Sequence, residues 1–184
     1  MQIKTTLSWL LIYFSGTFFT LSVAAQEPIL FAAEILSESV EYSLTITPDQ
    51  QTIYFVKTDS FYVSKPQAIY RSHWENGSWS TPEVAEFSGQ YSDSSPFVSP
   101  DGKTLFFTSR RPVHGQEVNA SNIWMVTLEK NGEGEPIYLE IVNSDKSEYS
   151  PTVDQAGNLY FGSYREGGHG WGDIWKSAWK EGTY

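Results

Sequence analysis

Three stretches of this chain repeat one another, and that self-similarity restricts the fold more than any other feature. Residues 41–55, "EYSLTITPDQQTIYF", align without a gap on residues 93–107, which begin Asp93-Ser94-Ser95 and continue "PFVSPDGKTLFF", at an offset of 52. A third copy, "EYSPTVDQAGNLYF" at 148–161, aligns at both ends and is one residue shorter between them. Farther along, "AIYRSHWENG" (68–77), "NIWMVTLEKNG" (122–132) and "DIWKSAWKEG" (173–182) share an Ile-aromatic pair, a large apolar residue four positions later, and then glycine. A unit of about 50 to 55 residues therefore recurs three times.

Each unit predicts four strands. The first is Tyr42 to Thr47 and its equivalents, ending at a turn such as Pro100-Asp101-Gly102-Lys103. There Pro presets φ, Asp caps its own backbone and Gly takes positive φ, so Asp101 reads as a turn former. The second strand is Ile53 to Lys57, Leu105 to Ser109 and Leu159 to Ser163, rich in β-branched and aromatic residues. The third carries Ile69-Tyr70, Ile123-Trp124 and Ile174-Trp175, and the fourth is "PEVAEF" (82–87) and "PIYLEI" (136–141). Gly77 and Gly132 mark the turn from third to fourth strand. Four antiparallel strands in a repeat of this length predict an all-β fold, a β-propeller of four-stranded blades with about three blades present. The blades run from about 37 to 90, 91 to 144 and 145 to 184, the last incomplete.

"SPDGKTLFFTSRR" followed by "NIWMV" resembles the WD40-like repeat of TolB-type propellers, and "GGHG" (167–170) with "DIW" (173–175) resembles exported propellers of that kind. The resemblance spans essentially all of residues 26–184. The first repeat departs from it with Gln50-Gln51, and the third with "DQAGN". It implies an exported, non-catalytic propeller of a bacterial envelope that serves as an interaction platform for a protein or a glycan. The alternative is the propeller portion of an enzyme, a prolyl-oligopeptidase-like hydrolase or a polysaccharide-active enzyme, whose catalytic part lies elsewhere.

Propellers have four to eight blades, so three do not form the usual ring. Two arrangements fit: part of a longer propeller, or a dimer completing a six-bladed ring. The segment "PILFAAEIL" (28–36) reads as a fourth strand arriving before the first complete unit.

The start of the chain reads as an export signal. Lys4 is followed by the uncharged "LSWLLIYFSGTFFTL" (7–21), and Val23 and Ala25 occupy small-residue cleavage positions. The apolar run is shorter than the roughly 20 residues a span requires. The expectation is a signal peptide over 1–25, a mature chain from Gln26, no membrane span after cleavage, and a periplasmic or secreted location. With no cysteine in the chain, a lipid-anchored cysteine, disulfides, thiolate metal sites and a cysteine nucleophile are excluded. The net charge of −10 argues against nucleic acid as a partner.

Neither G-x-S-x-G nor HExxH occurs, and no cofactor or metal is expected. His73 falls on a polar third strand, while His114 and His169 fall in second-to-third-strand loops. Glu41, Asp93 and Glu148 occupy one repeat position, just before the innermost strand. Arg111 and Arg165 align with each other in the following loops. In a propeller these loops share the channel-mouth face. Glu41, Asp93, Glu148, Arg111, Arg165 and His169 are therefore the candidate binding residues, with local acid–arginine pairing as the plainer reading.

Overall fold

The computed structural model describes residues 27–36, 40–58, 66–130, 132–180 and 184. Two compact units divide at Leu30. Residues 27–30 are all that is described of the first, and the expected signal peptide falls outside the described residues. The second unit is Phe31–Tyr184.

Among the described residues, thirteen strands form three antiparallel sheets. The first sheet holds β1 (Val40–Ile46), β2 (Thr52–Thr58), β3 (Ala68–Glu75), β4 (Ser78–Trp79) and β5 (Glu83–Val84). The second holds β6 (Asp93–Val98), β7 (Thr104–Ser109), β8 (Asn122–Glu129), β9 (Gly132–Glu133) and β10 (Ile137–Tyr138). The third holds β11 (Glu148–Val153), β12 (Leu159–Ser163) and β13 (Asp173–Ser177). Among the described residues there is no helix, and none long and apolar enough to cross a membrane. The fold is all-β and propeller-like.

The three sheets share a pairing register. Glu41 pairs with Lys57, Asp93 with Ser109 and Glu148 with Ser163, so each first strand begins opposite the end of the second. Every first strand also carries an irregularity at the same place, between Tyr42 and Thr45, Ser94 and Phe97, and Tyr149 and Thr152. Ser43, Ser95 and Ser150 sit there with φ of 53°, 51° and 51°. Such a bulge bends the strand and adds twist. Three serines held at positive φ show that the surrounding sheet dictates this kink.

The turn chemistry repeats as well. Asp101 Oδ1 accepts from Ser99 Oγ at 2.6 Å and from Lys103 N at 3.1 Å. Asp49 does the same with Thr47 Oγ1 and Gln51 N, at 2.6 and 3.0 Å. Asp154 accepts from Ala156 N and Asn158 N, each at 2.9 Å, which serves the shorter third turn.

The expected fourth strands are shorter in the structure. Instead of 82–87 and 136–141, only Glu83–Val84 and Ile137–Tyr138 pair, each on its third strand. The chain then turns, with Ser88 N donating to Ala85 O and Val142 N to Leu139 O, at 2.9 and 3.1 Å. These turns place Ala85, Phe87, Leu139 and Val142 in the core. The glycine turns form the short extra strands β4 and β9 rather than leading directly into the fourth. The third sheet has no fourth strand among the described residues.

Residues 31–36 are a further correction. They form a turn in which Ile35 N and Leu36 N both donate to Ala32 O at 3.0 Å, not a strand. Those donors are spent within the segment, and its Ala32-Ala33 pair is poor in strand propensity.

Alternation along each strand sends one set of side chains forward and the other back. One core cluster joins Tyr54, Val56 and Ile69 of the first sheet to Leu105, Phe107, Trp124 and Val126 of the second. Another joins Phe106 and Ile123 of the second to Val153, Leu159 and Phe161 of the third. The core is thus two seams between successive sheets.

Candidate functional site

The aligned acids and arginines meet at one end of these seams. Because Asp93 pairs with Ser109 and Arg111 follows two residues later, the guanidinium folds back over the acid. Arg111 Nη2 lies 3.1 Å from Asp93 Oδ1, and Arg165 Nη2 lies 3.0 Å from Glu148 Oε1. Ser109 Oγ accepts from Arg111 N and Nε at 3.1 and 2.9 Å. Ser163 Oγ does so from Arg165 N and Nε at 3.1 and 3.0 Å. Each arginine also donates across the seam to a carbonyl of the preceding repeat, Phe87 O for Arg111 and Val142 O for Arg165. Ser88 and Ser144, again from the preceding repeat, donate to Asp93 Oδ2 at 2.8 Å and Glu148 Oε1 at 2.6 Å.

These are latches between sheets. Asp93 and Glu148 are 0% exposed, and an ion so buried requires both a counter-charge and satisfied hydrogen bonds. Aromatic rings complete the enclosure: Arg111 lies 4.8 Å from the Phe107 ring and 5.2 Å from Trp124. Arg165 lies 5.0 Å from Phe161 and 5.2 Å from Trp175.

Glu41 differs from its two equivalents. Lys57 replaces the serine opposite it, and Asp59, at the arginine position, lies outside the described residues. The buried Glu41 Oε1 has no hydrogen-bond partner among the described residues.

The histidines separate. His169 is exposed in a loop shaped by Asp173, whose Oδ2 accepts from His169 N at 2.9 Å and Gly170 N at 3.1 Å. A Cβ on Gly168 would stand 1.9 Å from that oxygen, so close approach explains one glycine of "GGHG". His114 instead pairs its Nε2 with Glu140 Oε1 at 2.7 Å, both side chains exposed. His73 shares a hydrogen bond with Thr52 Oγ1 across β2 and β3, at 3.1 Å. Among the described residues no cluster of His, Cys, Asp or Glu could hold a metal ion.

Over the first latch lies an open cavity of about 520 Å³ whose lining includes Gln90, Tyr91, Arg111, Pro112, Trp124 and Pro136. The Tyr91 ring stands 5.7 Å from the Arg111 guanidinium. The accessible lining of the cavity is more polar than apolar, and Glu86 and Glu135 at the rim disfavour small anions and suit a polar ligand that donates hydrogen bonds.

The opposite end holds a network that the sequence reading missed. In the first seam Tyr54 OH donates to Glu133 Oε1 at 2.9 Å, and Arg71 Nη1 reaches Glu133 Oε2 at 2.5 Å. Glu83 and Glu86 pair with the same guanidinium at 2.9 and 3.1 Å. Burial and the Glu133 charge push the Tyr54 phenol far up. Burial opposes the charge on Arg71, yet the glutamates outweigh it and raise its pKa. The signal was present: Arg71 shares its strand face with Ile69, an odd place for a charge unless a partner arrives. At the same place in the second seam stand Phe106 and Met125, with Tyr184 packed edge-on against Phe106 at 5.7 Å. Burial pushes the Tyr184 phenol up to about 12. Equivalent positions thus build one polar seam and one apolar seam.

No known protein family matches this sequence, and no curated protein does either. A solved structure resembles it: a puromycin-hydrolyzing peptidase from Mycobacterium tuberculosis aligns with a TM-score of 0.51 at 15% identity, over 72% of this chain. The alignment spans 22% of the peptidase, and at that identity the likeness is one of fold.

Proposed function

We propose that the three sheets are blades of an exported β-propeller that binds a peptide or glycan of the bacterial envelope without catalysing a reaction on it. The observation that carries this reading is the cavity over the first latch, whose lining includes Gln90, Tyr91, Pro112, Glu135 and Pro136. Asp93 and Glu148, the acids aligned in the repeats, are enclosed in ion pairs, and of the two carboxylates that line the cavity Glu86 is paired with Arg71. The test is fluorescence titration of the chain with soluble peptidoglycan fragments and with proline-containing peptides. Saturable quenching that disappears in Tyr91→Ala, with melting unchanged, is the expected result. A chain that binds neither class would sink the proposal.

A second reading is favoured by the match to about a fifth of a peptidase: a propeller portion of a larger hydrolase. The coding sequence past the Tyr184 codon discriminates. A G-x-S-x-G domain there supports the hydrolase, and further repeats followed by a stop support the platform.

A further inference from the structure

The three repeats allow each sheet's forward face to be compared position by position. The first sheet presents Tyr42, Tyr54, Val56, Ile69 and Arg71 to the second. The second presents Ser94, Phe106, Thr108, Ile123 and Met125 at the equivalent places. The third presents Tyr149, Tyr160, Gly162, Ile174 and Lys176. At four of the five places the third sheet copies the first: two tyrosines, an isoleucine and a cation. Even the glycine fits, because the Tyr149 ring lies over it and would stand 2.3 Å from a Cβ built there.

The occupancy of those faces differs sharply. Ile69 and Ile123 are 0% exposed beneath the next sheet, whereas Ile174 is 76% exposed and neighbouring Trp171 95%. Lys176 stands 5.5 Å from the Tyr160 ring and has no carboxylate partner among the described residues. Its counterpart Arg71, beside Tyr54, receives Glu133 of the next sheet, whose side chain is 2% exposed. An apolar position fully covered in two repeats and bare in the third, beside a cation lacking its acid, describes an interface missing one side.

We propose that the forward face of the third sheet is the seat of one further sheet of this repeat type, which brings a carboxylate to Lys176 as Glu133 is brought to Arg71, the Tyr160 hydroxyl already donating to Asp154 Oδ2 of its own repeat at 3.1 Å. This rests on the propeller reading above. The first sheet of another copy does not supply that acid: it carries Trp79 where the second sheet has Glu133.

The chain has no cysteine, so Ile174→Cys and Ile123→Cys each give a single thiol whose maleimide labelling reports cover. The second sheet is the natural probe, because it already seats on the face that the third one copies. The chain is therefore lengthened after Tyr184 by a duplicate of residues 93–143. Labelling at Ile174→Cys should be fast in the chain itself and slow by about tenfold or more in the lengthened one. Glu133→Lys in the duplicate should abolish the slowing, and Lys176→Glu should restore it. Equal labelling with and without the duplicate overturns the proposal, as does slowing indifferent to charge reversal. Slow labelling in the unlengthened chain with a doubled mass by sedimentation also overturns it, making the face a contact between copies. Ile123→Cys separates the two levels. If it stays slow while Ile174→Cys stays fast, the stacked sheets stand and the seat alone fails. If it labels fast, the stacked-sheet reading fails with it.

Discussion

Arg111 Nη2 lies 3.1 Å from Asp93 Oδ1 inside the first seam, and the same nitrogen reaches the Phe87 carbonyl of the preceding repeat at 3.0 Å. One buried cation therefore neutralises its own sheet's acid and fastens the neighbouring sheet. Removing it strands a carboxylate that is 0% exposed. Arg111→Ala should cost about 3–5 kcal/mol in urea denaturation. Arg111→Lys should recover only part, since one ammonium cannot reach Ser109 Oγ from one nitrogen and Asp93 and the Phe87 carbonyl from another. A loss below about 1 kcal/mol, the range of a surface pair, would contradict the latch.

Ile123 and Ile174 are the same residue at the same repeat position, one buried completely and the other 76% exposed. Ile123→Ala should therefore destabilise by about 2–5 kcal/mol. Ile174→Ala should fall within about 0.5 kcal/mol of the parent chain. Equal effects would mean that the third sheet's forward face is covered in solution.

Ser95 is held at a φ of 51° in the bulge of β6. A β-branched side chain tolerates that region poorly, so Ser95→Val should cost about 1–3 kcal/mol. Ser95→Gly, which meets no such restriction, should cost little. Thermal melting of the two variants checks this, and the reverse order would show that the serine side chain, not the backbone, matters.

The turn aspartates give stability a defined response to acid. The Ser99 hydroxyl, then the Lys103 amide, lowers the Asp101 carboxyl, and the Thr47 hydroxyl, then the Gln51 amide, lowers Asp49. A carboxyl lowered by folding stabilises above its unfolded value, about 3.9, and loses that contribution as pH falls through the folded value. The stability gap between the parent chain and Asp101→Asn should thus be constant near neutrality and shrink below about pH 4. A gap that closes near pH 7 would point to another group. Denaturant midpoints measured across that range decide.

The repeat period, the turn aspartates and the alternation of apolar residues were legible in the sequence, since each is a local requirement of strand and turn geometry. Asp101 reads as a turn former from its neighbours alone, and its two short contacts are with residues two positions away. The alignment also placed Asp93, Arg111, Glu148 and Arg165 at one end. What it left open was whether they face solvent or each other, because burial depends on Phe87 and Val142, which come from the preceding repeat. The fourth strands read too long for a similar reason: Phe87 and Val142 look like strand residues locally, yet they turn inward to fill the seams.

Sequence by itself thus determined the first three strands of each sheet and the aspartate turns between the first two. Only the tertiary structure decided what each seam is made of. Tyr54 and Arg71 meet Glu133 from 62 residues beyond Arg71, whereas Phe106 and Met125 lie beneath Tyr184. Whether a charge on a strand is solvated or paired is a property of the sheet that lands on it, and no local pattern records the landing.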